Sequence, residues 1–302
     1  MYNNRLYTIK TLSNLHVGSG DVNYSVVDKQ VQRDTITKMP IINSSSLKGA
    51  LREFVKNSSI AKQHIANSEA PQAGDKLIYA IFGQKPKLEK GEKEKKKAGD
   101  VLFSEGKLLT IPVRTDKKAF MYATCPMLLE TYKDICEIYG FTLPDIDKLE
   151  FGYFSESVEG ELIAEEQDFR LNRQESLKKL QPLIGDDVIY LTDNEFKEIV
   201  TSLPIIARNH LENGESKNLF YEEVVPREAI FYTVLQFPYE VLVADSQVIE
   251  HYEKFQAILA DTKIYLGANT SIGYGLCQVK QIEATNEPIE KKEEATYEPS
   301  NS

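Results

Sequence analysis

The residues best suited to bind an anion lie around one predicted helix start, in the segment 44–52. Ser45 and Ser46 bring hydroxyl and free N–H groups to the helix N-terminus, and Lys48 and Arg52 follow one turn apart. Backbone N–H groups at a helix start favour phosphate. The same pattern also describes a capped helix with solvated basic residues, so the residues alone leave both interpretations open.

Two residues near the N-terminus have side chains capable of proton transfer. His16 lies directly before the glycine turn 18–20, which begins at Gly18. Histidine is the usual base at neutral pH, but a histidine without a visible partner fits a structural position equally well. Asp28 follows in a polar loop, where a lone aspartate is most often a turn or solvent-facing residue. Asp21 and Asp34 are nearby alternatives.

Three glycines (Gly267, Gly273 and Gly275) occur within "LGANTSIGYGL", between two apolar runs typical of strands. The segment is not a dinucleotide fingerprint, because a strand and not a helix follows it, and it lacks the Gly-Lys-Ser/Thr end of a P-loop. Glycine clusters serve either awkward turns or close approach of another backbone. A structural turn and a loop that binds a backbone therefore both remain possible.

The cysteines and the remaining histidines do not indicate a metal site. Cys125, Cys136 and Cys277 are odd in number and widely spaced, which predicts reduced core residues and no disulfide framework. The other histidines lack ligand spacing, so we expect no zinc; they are His64, His210 and His251.

The net charge of -10 argues against a generally basic nucleic-acid binder. Part of the acidity lies in residues 281–302, where six Glu face two Lys and the composition predicts a disordered tail. A lysine-rich stretch within 84–98 predicts a solvated loop. The chain has neither an apolar run near 18 residues nor a signal-peptide pattern, so we expect a cytoplasmic protein with no membrane partner.

The order of predicted elements indicates an α+β fold. Apolar patterning predicts strands, helices and a hairpin; the strands are 5–17, 101–113, 119–125, 229–237, 263–268 and 274–282, the helices start near 44, 60, 77, 126, 194 and 245, and the hairpin is 205–226 around an Asn-Gly turn. We expect a βαββαβ ferredoxin-like (RRM-like) arrangement with helices on one face of an antiparallel sheet. Residues 141–192 read as an irregular insertion, within one domain spanning 1–280.

Several motifs, in order along nearly the whole chain, resemble those of one protein family. They are "LHVGSG", "VVDKQVQRD", "PIINSSSLKGALR", "AGDVLFSEGKLLTIPVR", "YATCP", "LFYEEVVPREAIFYTVL" and "LGANTSIGYGLCQV". On these residues the chain resembles the RAMP superfamily, and within it the repeating backbone subunit of the type III-B CRISPR (Cmr) effector complex.

The resemblance implies a subunit of an antiviral ribonucleoprotein. Identical copies would lie along a CRISPR guide RNA, beside other Cmr subunits, and cut complementary single-stranded target RNA once per copy. Each copy would have a ferredoxin-like palm and an inserted thumb, the hairpin 205–226, that displaces a base from the duplex. The resemblance also implies a metal-dependent endoribonuclease with Mg²⁺ as cofactor.

The resemblance also assigns roles to individual residues. The aspartate that matches the family's cleavage position is Asp28, which would accept the proton of the attacking 2'-OH or hold Mg²⁺. The implied RNA-binding residues are His16, Gly18, Ser45, Ser46, Lys48, Arg52, Asn209, Gly273, Tyr274 and Gly275, with the amides of 273–275 facing the guide. Glu222 and Glu223, at the thumb base, either assist or anchor the hairpin.

Two other functions remain open on the sequence. In the first, the chain is a non-catalytic guide-RNA scaffold in which Asp28 only orders its loop. In the second, it is a CRISPR repeat-processing endoribonuclease that acts alone with His16 as base.

Overall fold

The computed structural model describes residues 2–19, 27–57, 73–83, 98–164, 169–212, 215–238 and 246–282. The alternative aspartate Asp21, the predicted helix near 60, most of the lysine-rich stretch, the Asn-Gly turn and almost all of the acidic tail lie outside these residues. Within them, no helix is long and apolar enough to span a membrane.

The described part of the chain contains fourteen strands and six α-helices. The strands are β1 (Tyr2–Thr11), β2 (Ile41–Ile42), β3 (Leu102–Phe103), β4 (Gly106–Val113), β5 (Met121–Thr124), β6 (Gly152–Phe154), β7 (Leu162–Ala164), β8 (Phe169–Leu171), β9 (Val188–Tyr190), β10 (Ile205–Glu212), β11 (Glu215–Glu223), β12 (Ile230–Pro238), β13 (Asp261–Tyr265) and β14 (Leu276–Gln281). The helices are α1 (Ser44–Asn57), α2 (Ala73–Phe82), α3 (Pro126–Tyr139), α4 (Gln181–Ile184), α5 (Asp193–Thr201) and α6 (Ser246–Leu259).

Ten of these strands form one mixed sheet in the order β13-β14-β1-β12-β4-β5-β9-β6, with β2 beside β4 and β3 beside β12. Neighbouring strands are antiparallel except β5 and β9, which are parallel. The α+β class is therefore confirmed. The strand predicted over residues 5–17 ends earlier in the structure, at Thr11. After Thr11 the chain leaves the sheet, and Leu15 forms an isolated bridge with Val225.

Local sequence explains where the helices begin and end. In α1 the side chains of Leu47, Leu51 and Val55 recur every four residues and are all buried, as the apolar spacing predicts. Helix α3 begins at Pro126 and stops at Gly140, whose φ of 72° is left-handed. Helix α5 has a capping box in which Thr192 and Glu195 exchange hydrogen bonds.

Helices cover both faces of the sheet, so the expectation that they lie on one face was wrong. Helix α1 packs with Phe231 on one face, while Tyr132 of α3 meets Tyr232 edge-to-face on the other, with ring centroids 4.9 Å apart. Strand β12 is apolar at almost every position, and a continuous apolar strand is typical of burial on both faces. All three cysteines are buried and unpaired, as predicted.

The middle segment is only partly irregular. Its strands β6 and β9 extend the main sheet beyond β5, which the prediction of an irregular insertion missed. Both strands are three residues long and buried at every position, so they show no alternation that a sequence pattern could detect.

The predicted hairpin is confirmed as strands β10 and β11, which form a two-stranded sheet of their own. Its register places Arg208 opposite Phe220 and Ile206 opposite Glu222. Residues 215–219 are exposed, whereas Glu222 and Glu223 at the base are buried. The hairpin therefore projects from the sheet and is anchored at its base.

Candidate nucleic-acid interface

The chain around Asp28 runs along the edge of the hairpin and not along the main sheet. The Asp28 carboxylate accepts a hydrogen bond from the Tyr221 backbone N–H, with N and Oδ2 2.7 Å apart. Lys29 then donates its own N–H to the Tyr221 carbonyl and accepts one from the Glu223 N–H. These bonds fix the Asp28 carboxylate and the Lys29 backbone to the base of β11.

Asp28 is exposed and lines a cavity of about 530 Å³ next to the hairpin. The other cavity residues include His16, Lys29, Phe220 and Glu222. On β11 the residues 218, 220 and 222 alternate toward this cavity, as the two-residue period of a strand requires. The cavity therefore combines one exposed carboxylate with groups from three separate parts of the chain.

The alternative aspartate Asp34 has a structural task elsewhere. Its Oδ1 accepts hydrogen bonds from the backbone N–H groups of Ile36 and Thr37 and from the Thr37 hydroxyl. The Thr37 N–H is the main reason why the pKa of Asp34 lies below its usual value. Asp34 does not line the cavity that contains Asp28.

We expect Asp34→Ala to lower the free energy of unfolding by about 1 kcal/mol at pH 7, because it removes these hydrogen bonds. A carboxyl whose pKa is lowered by folding stabilises the protein above its unfolded pKa of about 3.9 and loses this contribution as the pH falls further. Urea unfolding at pH 7 and at successively lower pH tests the prediction. A stability difference that grew on acidification would contradict it.

His16 is buried, and its ring is held from both sides. Nδ1 lies 2.7 Å from the Glu223 carbonyl oxygen, and Nε2 lies 3.7 Å from Glu222 Oε1. Gly18 covers the ring so closely that a Cβ there would sit 3.0 Å from Nε2. The imidazole therefore helps to join the glycine turn to the hairpin base, while it also borders the cavity.

The two glutamates are anchors of the hairpin. The Glu223 carboxylate accepts hydrogen bonds from the Val31 backbone N–H and from the Arg33 guanidinium. Glu222 is fully buried and accepts from Arg208 Nη1 at 3.1 Å and from the Asn269 side-chain amide. Anchoring was one of the two roles left open by the sequence.

The glycine-rich loop packs against the protein's own backbone. A Cβ at Gly267 would overlap the carbonyl oxygen of His16, and a Cβ at Gly275 would overlap that of Leu266. Both residues also have φ of 75°. At Gly273 (φ 92°) a Cβ would meet nothing within 4 Å. Close backbone approach therefore explains two of the three glycines.

The amides of this loop are already engaged, contrary to the expectation that they face RNA. The N–H groups of Gly273, Tyr274 and Gly275 donate to the carbonyls of Thr270, Asn269 and Asn14, respectively. The Tyr274 ring and the Asn269 side chain instead face the hairpin base, where they contact Arg208 and Glu222, respectively. Asn269 itself has a left-handed φ of 65°.

Helix α1 and the glycine-rich loop enclose a second cavity of about 710 Å³. Ser45 and Ser46 line it, together with Phe54 and Tyr265. Gly18 borders both cavities, so the two are adjacent. The predicted serines therefore line a cavity next to the one that contains Asp28.

The structure does not bring Lys48 and Arg52 to this cavity. Lys48 Nζ lies 5.2 Å from the centroid of the Phe103 ring, and Arg52 Nη2 donates to the Gly83 carbonyl at 3.0 Å. Burial lowers the pKa of Lys48. The serines and Gly49 lie on the side of the helix that faces the cavity. Because the helix has 3.6 residues per turn, Lys48 and Arg52 lie on a different side and point away from the cavity.

The hairpin residue Asn209 is exposed, and its Oδ1 accepts a hydrogen bond from the Ser216 hydroxyl across the two strands. It lies two residues toward the tip from Ala207, which is paired with Tyr221. The predicted contact with RNA at this position remains a prediction.

Several residues of the site were not predicted from the sequence. Gln32 links the glycine turn at Gly18 to the start of α1. Its side-chain amide donates to the Gly18 carbonyl and the Ser46 hydroxyl, and its oxygen accepts from the Asn43 N–H. Arg208 and Phe220 were also missed. Hairpin register would have found this pair, because the two residues are cross-strand partners.

Among the side chains that the structure describes, no three His, Cys, Asp or Glu residues form a group that could hold a metal ion. Glu222 is committed to its cations, which leaves Asp28 as the exposed carboxylate of the cavity. Mg²⁺ is commonly bound through one or two carboxylates together with substrate phosphates and water. The site therefore fits an ion that arrives with a phosphate ligand and not one enclosed by protein alone.

Comparisons with known proteins agree in sequence and in fold. The RAMP superfamily matches residues 8–278. The chain is similar to the CRISPR system Cmr endoribonuclease Cmr4 of Pyrococcus furiosus, with 26% identity over 305 residues that cover 93% of this chain and 96% of that protein.

Two solved structures show the same fold. One is a cryo-EM structure of the type III-B Cmr-beta bound to cognate target RNA, with a TM-score of 0.72 at 22% identity, covering 92% of this chain and 97% of the other. The second is a crystal structure of oligomeric Cmr4 from Pyrococcus furiosus, with a TM-score of 0.67 at 24% identity, covering 93% and 98%. With the family match extending over residues 8–278, the chain belongs to the RAMP superfamily.

Proposed function

We propose that the chain is a repeating backbone subunit of a type III-B CRISPR ribonucleoprotein, which binds guide RNA and cleaves complementary target RNA at regular intervals. The observation that carries the proposal is the exposed carboxylate of Asp28, tied to the base of a projecting hairpin beside an open cavity. The similarity to a Cmr endoribonuclease over nearly the whole chain supports it. Other copies of the chain and further Cmr subunits are its proposed partners, in the cytoplasm.

In this proposal the central strands form a ferredoxin-like palm. The order β14-β1-β12-β4, with α1 following β1 and α6 following β12, corresponds to the strand order of a βαββαβ unit. The hairpin then serves as the thumb. It splays the target strand beside Asp28, which opens the scissile step to in-line attack.

The proposed reaction uses the nucleophile of the RNA itself. The 2'-oxygen gives up its proton to Asp28 or to water and attacks the adjacent phosphorus. The bond from phosphorus to the 5'-oxygen breaks and that oxygen takes a proton from water, which leaves a 2',3'-cyclic phosphate and a 5'-hydroxyl. Asp28 either accepts the 2'-OH proton or holds Mg²⁺. A bound Mg²⁺ ion would supply charge neutralisation at the phosphate. The hydrogen bond from the Tyr221 N–H, which holds the Asp28 carboxylate beside the cavity, supports either role.

Copurification tests the proposed function without any variant. Protein isolated from its host is expected to carry short RNAs of uniform 5' sequence, and a rise in salt is expected to release them. Each phosphate contact to single-stranded RNA contributes about -0.7 to the slope of log affinity against log salt, whatever the net charge of the protein. Recovery of protein free of such RNA, or RNA binding indifferent to salt, would contradict the proposal.

One observation also supports a second candidate function, that of a non-catalytic scaffold. The hydrogen bond from Tyr221 to Asp28 is also what a purely loop-ordering aspartate would make. The repeat-processing alternative has less support, because His16 is buried and its Nδ1 faces a carbonyl oxygen at hydrogen-bond distance. Substitution of Asp28 separates the first two functions.

A further inference from the structure

A fully buried carboxylate holds two cations at the wall of the cavity that contains Asp28. Glu222 Oε2 lies 3.1 Å from Arg208 Nη1, and Glu222 Oε1 lies 3.9 Å from Lys29 Nζ. Asn269 donates to both carboxylate oxygens, at 2.9 and 3.0 Å. Burying a charge is costly unless it is paired, so this carboxylate depends on its cations and constrains where they lie.

Arg208 is also restrained by two aromatic rings. The centre of its guanidinium lies 5.4 Å from the centroid of Phe220 and 6.0 Å from that of Tyr274. Glu222, Phe220 and Tyr274 therefore contact it from the second hairpin strand and from the glycine-rich loop. The side chain is nonetheless 24% exposed. A guanidinium has five N–H donors in a rigid plane, and the bond to Glu222 uses one of its nitrogens.

The electrostatics of the proposed reaction favour a protein cation beside the scissile phosphate. A phosphate that approaches Asp28 meets a like charge, and the transition state places further negative charge on the non-bridging oxygens. Preorganised donors at such a position are usually the largest contribution to catalysis. Arg208 contacts Phe220 and Glu222, which line the Asp28 cavity, and guanidinium geometry suits the paired oxygens of a phosphate.

We propose that Arg208 is a catalytic residue that neutralises a non-bridging oxygen of the scissile phosphate, and that Glu222 is the positioning residue that aims it. This proposal rests on the proposed function and adds a protein cation to it. Lys29, whose ammonium lies 4.3 Å from the Phe220 centroid, contributes a second and more exposed charge to the same cavity.

The test is single-turnover cleavage of target RNA by the complex assembled with guide RNA. Arg208→Ala is expected to lower the cleavage rate on the order of 100-fold, with target binding retained. Arg208→Lys keeps the charge without the planar donors, so its cleavage rate is expected to lie between that of the wild type and that of Arg208→Ala. Glu222→Gln is expected to slow the wild-type chain and to have a smaller effect in the Arg208→Ala chain, because it acts mainly through Arg208 and only the contact with Lys29 remains to be lost.

A sulfur substitution at the scissile phosphate gives a measurement that a merely structural role would not change. One phosphorothioate diastereomer is expected to slow the wild-type complex, and this effect is expected to disappear in Arg208→Ala. If Mn²⁺ in place of Mg²⁺ restores cleavage of that diastereomer in the wild-type complex, a metal ion and not Arg208 neutralises the oxygen. That result would overturn the proposal.

The matched control is Arg170→Ala, which removes an arginine that is 72% exposed and paired with Glu161, away from the cavity. Its cleavage rate is expected to equal that of the wild type. If Arg208→Ala also cleaves at the wild-type rate, the role of Arg208 is wrong while the proposed function stands. If the wild-type complex does not cleave at all, the proposed function itself fails. If Glu222→Gln does not fold, the Arg208 variants and the sulfur effect still test the role of Arg208.

Discussion

An Asp28→Ala chain assembled with guide RNA is expected to bind complementary target RNA and to leave it uncut. The carboxylate is exposed at the cavity and held by the Tyr221 N–H, so its loss removes the group that accepts the proton or holds the metal. Loss of a positioned general base lowers a rate by about 10²- to 10⁴-fold. Denaturing gel analysis of labelled target RNA, with a separate binding assay, measures both quantities.

Asp28→Asn refines this experiment. An asparagine side-chain oxygen can accept the same hydrogen bond from Tyr221, so the loop keeps its anchor while the charge is lost. If Asp28 serves chemistry, Asn and Ala are equally inactive; if it only orders the loop, Asn restores activity. Asp34→Ala is the control carboxylate, because Asp34 is committed to its own turn. Metal-dependent cleavage by Asp28→Ala at the normal spacing would defeat the catalytic assignment.

Gly275→Ala is expected to destabilise the fold by about 3 kcal/mol or more. Its φ of 75° disfavours any residue with a Cβ, and the new methyl group would overlap the Leu266 carbonyl oxygen. That overlap also strains the pair of hydrogen bonds that close the loop, from Leu266 N–H to Gly275 and from Gly275 N–H to Asn14. Denaturant unfolding of the two proteins measures the loss.

Gly273→Ala is the matched control for this effect. Its φ of 92° brings a similar backbone strain, but a Cβ there meets nothing within 4 Å. We therefore expect a loss of about 1 to 2 kcal/mol, and the difference between the two variants isolates the backbone overlap. Equal losses would show that conformational strain alone accounts for the glycine at 275.

Patterns confined to one element predicted the fold well. The four-residue recurrence of Leu47, Leu51 and Val55 locates α1, and the apolar run of β12 locates the strand at the centre of the sheet. Pro126 marks the start of α3 within a residue. In each case the information lies within a single stretch of chain, where side-chain periodicity reflects burial directly.

Features that depend on distant residues were predicted less well. Lys48 and Arg52 were assigned to the interface by the family resemblance and their place at a helix start, yet Lys48 packs at Phe103 and Arg52 bonds to Gly83. Lys29 lies at the Asp28 cavity, and Arg208 contacts Phe220 and Glu222 in its lining. These two cations come together only because Glu222 pairs with both, 193 residues along the chain from Lys29 and 14 from Arg208. Such pairing follows from tertiary packing, which single-sequence periodicity does not contain.

The attachment of Asp28 to β11 and not to the main sheet has a practical consequence. Trimming the hairpin to test whether it separates bases would also release the segment that carries the carboxylate. Such a deletion would remove two activities together, and the loss could not be attributed to either. Point substitutions at the exposed residues 215–219, which leave Tyr221 untouched, are the way to examine strand separation alone.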